Sequence, residues 1–221
     1  MRANRAPGPH ANEARSKFTG TERSRNSLSE ARRNGSGAAL FRFHPHSLRN
    51  GNERVAAMEI SNFKDMYLAE LQELVSMEAQ LADALLRMAG AASHPVLKRV
   101  FIHHRAETEI QMDRLMTILL KHGASPRVHT DQAMKALVTE TRKMIAMLKV
   151  DDLRDAGLIA SAQKIEHYEI AAYGTAAALA GQLELRDEQK MLHMSLEEER
   201  QVDTLLTHLA KREVNRQAVA A

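Results

Sequence analysis

From Ser61 onward, apolar residues recur three and four positions apart, the spacing of one face of an α-helix. Tyr67, Leu71, Leu74, Glu78, Leu81, Leu85 and Met88 make the first such run, and Gly90 is expected to end it as a C-terminal glycine. Ser93-His94-Pro95 supplies a cap residue and a first-turn proline for a second run, Leu97, Phe101, His104, Gln111, Leu115 and Ile118, which closes at His122-Gly123. So short a turn between two long helices makes them pack antiparallel. Ala124-Ser125-Pro126-Arg127 then breaks the chain. Asp131 to Lys149 carries Met134, Leu137, Val138, Met144, Ile145 and Leu148 but no inward acid or histidine pair, as expected of a connecting helix. Asp151-Asp152 offers a cap and favourable first-turn charge to the run Leu153 to Ala180, which Gly181 is expected to end. Asp187 to about Arg212 forms the last helix.

The pattern is thus a helical hairpin, a long connection that contains a helix, and a second hairpin. It predicts an all-α protein, a four-helix bundle with one long crossover. This is the ferritin-like arrangement, in which Glu residues from all four helices bind metal at the bundle centre. Composition agrees: the 221 residues are 44% hydrophobic but only 4% aromatic, and strong helix formers dominate. With no Cys, thiolate sites, thiol nucleophiles and disulfides are excluded, so a metal must be held by carboxylates, imidazoles or water. No apolar run reaches the roughly 18 residues of a membrane span, and no secretory core is present, so no membrane contact and a cytoplasmic location are expected.

Charge interrupts the inward stripe of each long helix. At about 100° per residue, Ala162, Glu166, Glu169, Tyr173, Ala176, Ala177 and Ala180 share one side of the fourth run. An unpaired buried carboxylate costs several kcal/mol, so two acids on one apolar stripe require a cation, a proton or a set of donors. Glu78 lies between Leu74 and Leu81, Glu107 between His104 and Gln111, and Glu199 between Leu196 and Asp203, with Glu198 an almost equal candidate. Each of these acids taken alone would be a boundary or surface residue; one per long helix, each near mid-length, points to a metal site. His104 reads either as a hydrogen-bonded core residue or, with Glu107 one turn on, as a ligand. His167 falls about 100° from Glu166 and is expected to turn away.

The first 57 residues differ. They hold 11 of the 31 basic and 4 of the 28 acidic residues, a net +7, which leaves −4 for the rest. Without helical or strand period, residues 1–57 read as a disordered basic arm, with 58–221 the folded domain. Three accounts of the arm stay open: an extension upstream of a genuine start at Met58, a real tail loosely like a transit peptide, or an arm that touches nucleic-acid phosphates, the least favoured.

Ser76-Met77-Glu78-Ala79-Gln80-Leu81, His104-Arg105-Ala106-Glu107-Thr108 with Gln111, Ala162 to Gly174, and Leu196-Glu197-Glu198-Glu199 with Asp203 together resemble the YciE/YciF family of ferritin-like proteins over about residues 61–212. The resemblance implies a bundle that forms a homodimer, a di-metal carboxylate site, and expression under stress in bacteria, for a reaction that is not established. The Glu-x-x-Glu and Tyr of the third bundle helix are also similar to those of rubrerythrins. Where ferritin-like di-iron proteins usually carry Glu-x-x-His, this chain offers Glu107 with Gln111 and Glu199 with Asp203. More oxygen donors favour harder ions, Fe first and Mn second.

If two ions bind, Glu78 and Glu166 are the expected terminal ligands, Glu107 and Glu199 the bridging ones, and Glu169 a carboxylate that moves between ions. Tyr173 is expected to be a donor beside the ions or a radical sink. A di-iron oxidase or peroxidase acting on O₂ or peroxide is one reading of the function. A dimeric scaffold whose acids form a metal-free polar core is a second, and a stress-related DNA-binding protein that uses the basic arm is a third.

Overall fold

The computed structural model describes residues 60–126 and 129–221. The expectations for residues 1–57 lie outside them. Among the described residues there is no strand, and no helix is long and apolar enough to cross a membrane. Four long helices, α1 (Phe63–Ala91), α2 (Pro95–Lys121), α4 (Asp151–Gln182) and α5 (Arg186–Leu209), make the bundle. The shorter α3 (Gln132–Met147) lies in the crossover. Beyond α5 the backbone passes through a π-helical turn, Ala210–Val214, into a short α6 (Asn215–Ala220).

α1 packs most heavily on α2 and α4 on α5, so the two predicted hairpins are present; contacts of α1 with α4 and of α2 with α5 join them. α3 lies on α4 and α1 with only Met134, Val138 and Thr141 fully buried, which fits a connecting helix. Leu71, Leu74, Met77, Leu81, Leu85 and Met88 from α1 meet Phe101, Leu115 and Ile118 from α2 in the core. Ala162, Ala176, Ala177 and Ala180 give α4 a thin face on which neighbouring helices approach closely.

Several helix ends differ from expectation. Gly90 lies inside α1, which runs on to Ala91, and only Gly123 takes the left-handed conformation, φ 67°, of a terminating glycine. α4 likewise continues past Gly181 to Gln182, and the left-handed residue of that turn is Glu184, φ 59°. A Cβ on Gly181 would lie 2.4 Å from Gln189 Nε2, so this glycine serves the close approach of the two helices rather than the turn. His94, not Ser93, caps α2. Its own side chain makes no cap bond; instead the N–H groups of Ser93 and His94 donate to the Asp155 carboxylate of α4 at 2.9 and 2.8 Å. Val150 precedes α4, and Asp151 and Asp152 fall in its first turn, where their charge opposes the helix dipole. At the start of α2, a carboxylate from a distant helix thus satisfies backbone donors that the local sequence leaves open.

Candidate metal centre

Each bundle helix delivers at least one polar side chain to the centre of the bundle. Glu78 of α1, His104 of α2, Glu166 and Glu169 of α4 and Glu199 of α5 are all essentially inaccessible to solvent. One ligand atom each from His104, Glu166, Glu169 and Glu199 lies within 4.8 Å of the other three. His104 Nε2 stands 3.3 Å from Glu166 Oε1 and 3.6 Å from Glu199 Oε2. Apolar neighbours one turn away on either side, such as Leu74 and Leu81 around Glu78, force the acids inward with the rest of each stripe.

The polar atoms here are largely without donors. Both carboxylate oxygens of Glu166 and of Glu169, one of Glu78, one of Glu199, and both ring nitrogens of His104 are buried and make no hydrogen bond of good geometry with the described residues. Native interiors rarely leave such groups unpaired, and a cluster of them could hold a cation. Three carboxylates and an imidazole form a reasonable donor set for a divalent first-row metal.

Donors do reach the edge of the cluster. The Tyr173 hydroxyl donates to Glu78 Oε1, and Gln111 Nε2 donates to Glu199 Oε1. Gln111 is thus placed as an amide that orients a carboxylate. The open choice between Glu198 and Glu199 is resolved by position. Glu199 is fully buried in the cluster, whereas Glu198 turns to Arg114, whose guanidinium donates to its two oxygens at 2.5 and 2.8 Å, and it also accepts from Gln111 at 3.1 Å. Arg114 follows Gln111 by one turn and Glu107 by two on the same face of α2, a spacing visible in the sequence, although its partner on α5 is not.

Two expected ligands stand apart. Glu107 keeps a partly exposed carboxylate, 3.2 Å from His103 Nδ1 and 3.8 Å from His104 Nδ1, beside the group of four and not within it. Asp203 sits one turn beyond Glu199 but is drawn sideways to α4, where it accepts from Gln163 Nε2 at 3.1 Å and faces His167 Nε2 at 3.6 Å. The four-residue spacing rotates Asp203 off the inward line, and a nearby amide holds it there. His167 is exposed, as its angle from Glu166 predicts.

Crowding shows in the protonation of these groups. Burial, with Tyr173 and His104 opposing it, raises the Glu78 carboxyl to about 8. Burial and the neighbouring acids push Glu169 well above the carboxylate range, and burial with Glu166 and Glu78 does the same for Glu199 against the pull of His104. Burial opposes charge on His104, but Glu166, Glu107 and Glu199 outweigh it and raise the imidazolium well above its ordinary range. Tyr173 is raised well above the usual phenol by burial and by Glu78, so it remains a hydrogen-bond donor at neutral pH.

Comparison with known proteins finds relatives of the chain. The family model described as "Domain of unknown function (DUF892)" matches residues 62–219. Protein YciF of Escherichia coli strain K12 is 38% identical over 163 residues, 73% of this chain and 98% of that protein. The crystal structure of this E. coli stress protein aligns with a TM-score of 0.68 over 71% of this chain and 99% of its own. YcfI from Rhodopseudomonas palustris, which carries a provisional description as a structural protein, is 31% identical with a TM-score of 0.66, covering 68% of this chain and 96% of its own. A Xanthomonas campestris protein that shares 19% identity over 72% of this chain and 95% of its own, TM-score 0.57, shows the fold alone.

Proposed function

Because the chain belongs to the DUF892 family and is related to the stress protein YciF, we propose that its buried acidic cluster binds a pair of metal ions, iron in preference and manganese second, and that it handles Fe²⁺ and peroxide under stress. The observation that carries this reading is the convergence of His104, Glu166, Glu169 and Glu199 with so many unpaired buried donor atoms. These four would hold the first ion. A second would draw on Glu78 and on Glu107, whose carboxylate stands next to His104. Bound there, iron would supply one-electron chemistry toward O₂ or peroxide.

The chain's own residues set the conditions. Gln111 and Arg114 fix Glu199 and Glu198 from the α2 side, so the α5 carboxylates are oriented before any ion arrives. Tyr173 keeps its proton and donates it in a hydrogen bond to Glu78, which leaves the other Glu78 oxygen free for a cation. A homodimer and a cytoplasmic location belong to the same reading, and sedimentation of the purified chain tests the first.

The scaffold reading has its own support, the description of the Rhodopseudomonas relative and the donors Tyr173 and Gln111, which would suit a protonated polar core. Metal analysis separates the two. The full chain, loaded with Fe²⁺ or Mn²⁺ without oxygen and then desalted, should retain stoichiometric metal and oxidise Fe²⁺ when O₂ or peroxide is added, while Glu166→Ala should do neither. Metal near zero in the parent would leave the scaffold.

A further inference from the structure

Beside the acidic cluster, a cleft of about 360 Å³ runs between α2 and α5, lined by Val96, Val100, Val202 and Leu205 with Arg99, His103, His104 and Glu107. Its walls are unusual for the outside of a bundle. Leu205 is 46% exposed, and three β-branched valines, stiff at χ1, keep the walls in shape. Such a cleft, mostly apolar with a few convergent polar groups, has the character of a small-molecule site.

The polar groups are ordered along it. Val96, Val100, His103 and Glu107 follow one another on α2 at three- and four-residue spacing, with Arg99 beside Val100, so Arg99 and Glu107 are separated by roughly 12 Å along the axis. Arg99 is exposed and has no hydrogen bond or ion pair among the described residues. At the other end, His104 is 1% exposed, with both ring nitrogens lacking a hydrogen-bond partner, and Glu107 stands 3.2 Å from His103 Nδ1. An exposed guanidinium therefore marks one end of the mostly apolar cleft and the edge of the acidic cluster the other.

We propose that this cleft binds a small amphipathic anion, an apolar chain bearing one carboxylate, with its head on Arg99 and its chain lying along the valines toward His104 and Glu107. Arg99 attracts the head at the outer end and the valines give the chain an apolar surface to lie on, so one orientation is selected. An inorganic anion would gain nothing from the valines, and an apolar cation would be repelled by Arg99. The cleft meets the proposed metal centre at His104 and Glu107, and binding itself requires no metal.

Octanoate is the probe, titrated calorimetrically into the full chain in the presence of chelator, with acetate and octylammonium as comparisons. Octanoate should bind saturably at one per chain and at least tenfold more tightly than either. Arg99→Gln should weaken it at least tenfold. So should Leu205→Glu, which removes an apolar wall and adds a repelling charge at an exposed position where folding is not at stake; circular dichroism of both variants should match the parent. Equal binding of octylammonium, or octanoate affinity unchanged in both variants, would overturn the proposal. Absence of saturable binding would do so too, as would self-association of the parent that disappears in Leu205→Glu, since a second copy would then be the occupant.

Discussion

Two groups of buried carboxylates in this bundle meet opposite fates. Toward one end, Glu188 of α5, 2% exposed, accepts from Tyr67 at 3.0 Å, Lys121 at 2.8 Å and His122 at 3.0 Å. Burial pushes its carboxyl up, yet these three partners outweigh burial and hold it below the ordinary range, helped by its place in the first turn of α5. In the middle, Glu78, Glu169 and Glu199 are as deeply buried, lack enough donors, and are raised. Burial alone thus does not distinguish a structural acid from a ligand; the supply of donors does. Glu188 ties α1, α2 and α5 together, whereas the central acids destabilise the bundle until a cation or protons arrive.

Metal should give the largest separation between these regions. At a thousandfold excess over its Kd, bound Fe²⁺ or Mn²⁺ should stabilise the parent by about 4 kcal/mol. Calorimetric melting should show this gain unchanged in Glu188→Gln and absent in Glu166→Ala. A gain that survives Glu166→Ala would break the comparison.

Without metal, matched amide substitutions should differ next most. Glu188→Gln removes a charged acceptor from three donors and should cost about 1.5–3 kcal/mol in urea unfolding at neutral pH. Glu169→Gln relieves like-charge crowding and should leave stability within about 1 kcal/mol of the parent or raise it. Equal losses would mean that the central acids are as well satisfied as Glu188.

The same contrast predicts the pH profile of the metal-free protein. For Glu78 the folded state holds its proton to about 8 while the unfolded state releases it near the ordinary value of 4.5, so stability falls as pH rises through that window. Glu169, Glu199 and His104, all raised, slope the same way. Glu188, lowered, contributes stability that is present above the unfolded value and lost as pH falls through the folded one. Maximum stability should therefore lie in mildly acid solution. Glu78→Gln should flatten the fall toward pH 8, and Glu188→Gln the fall toward low pH; a stability plateau from 5 to 8 in the parent would contradict the first, and an unchanged acid limb in Glu188→Gln the second.

The smallest effect marks the boundary of the centre. Asp203→Asn, outside the cluster and partly exposed, should change stability by less than about 1 kcal/mol and leave metal content at the parent's value. A loss of metal would return Asp203 to the ligand set, where its spacing from Glu199 first placed it.

Sequence by itself determined the helices, their pairing into hairpins and the depth at which Glu78, His104, Glu166, Glu169 and Tyr173 lie, because a 3.6-residue period fixes which side chains share a face and short turns fix antiparallel neighbours. It could not decide between Glu198 and Glu199, since a broad apolar stripe tolerates either one; Arg114 of α2, distant in the chain, claims the first and leaves the second inside. Nor could it place Asp203, which Gln163 holds off the inward line, or show that Asp155 satisfies the start of α2 from another helix. Periodicity assigns a residue to a side of its own helix, but which neighbour donates to it, and so whether its charge is satisfied or left for a metal, depends on contacts between helices that only packing brings together.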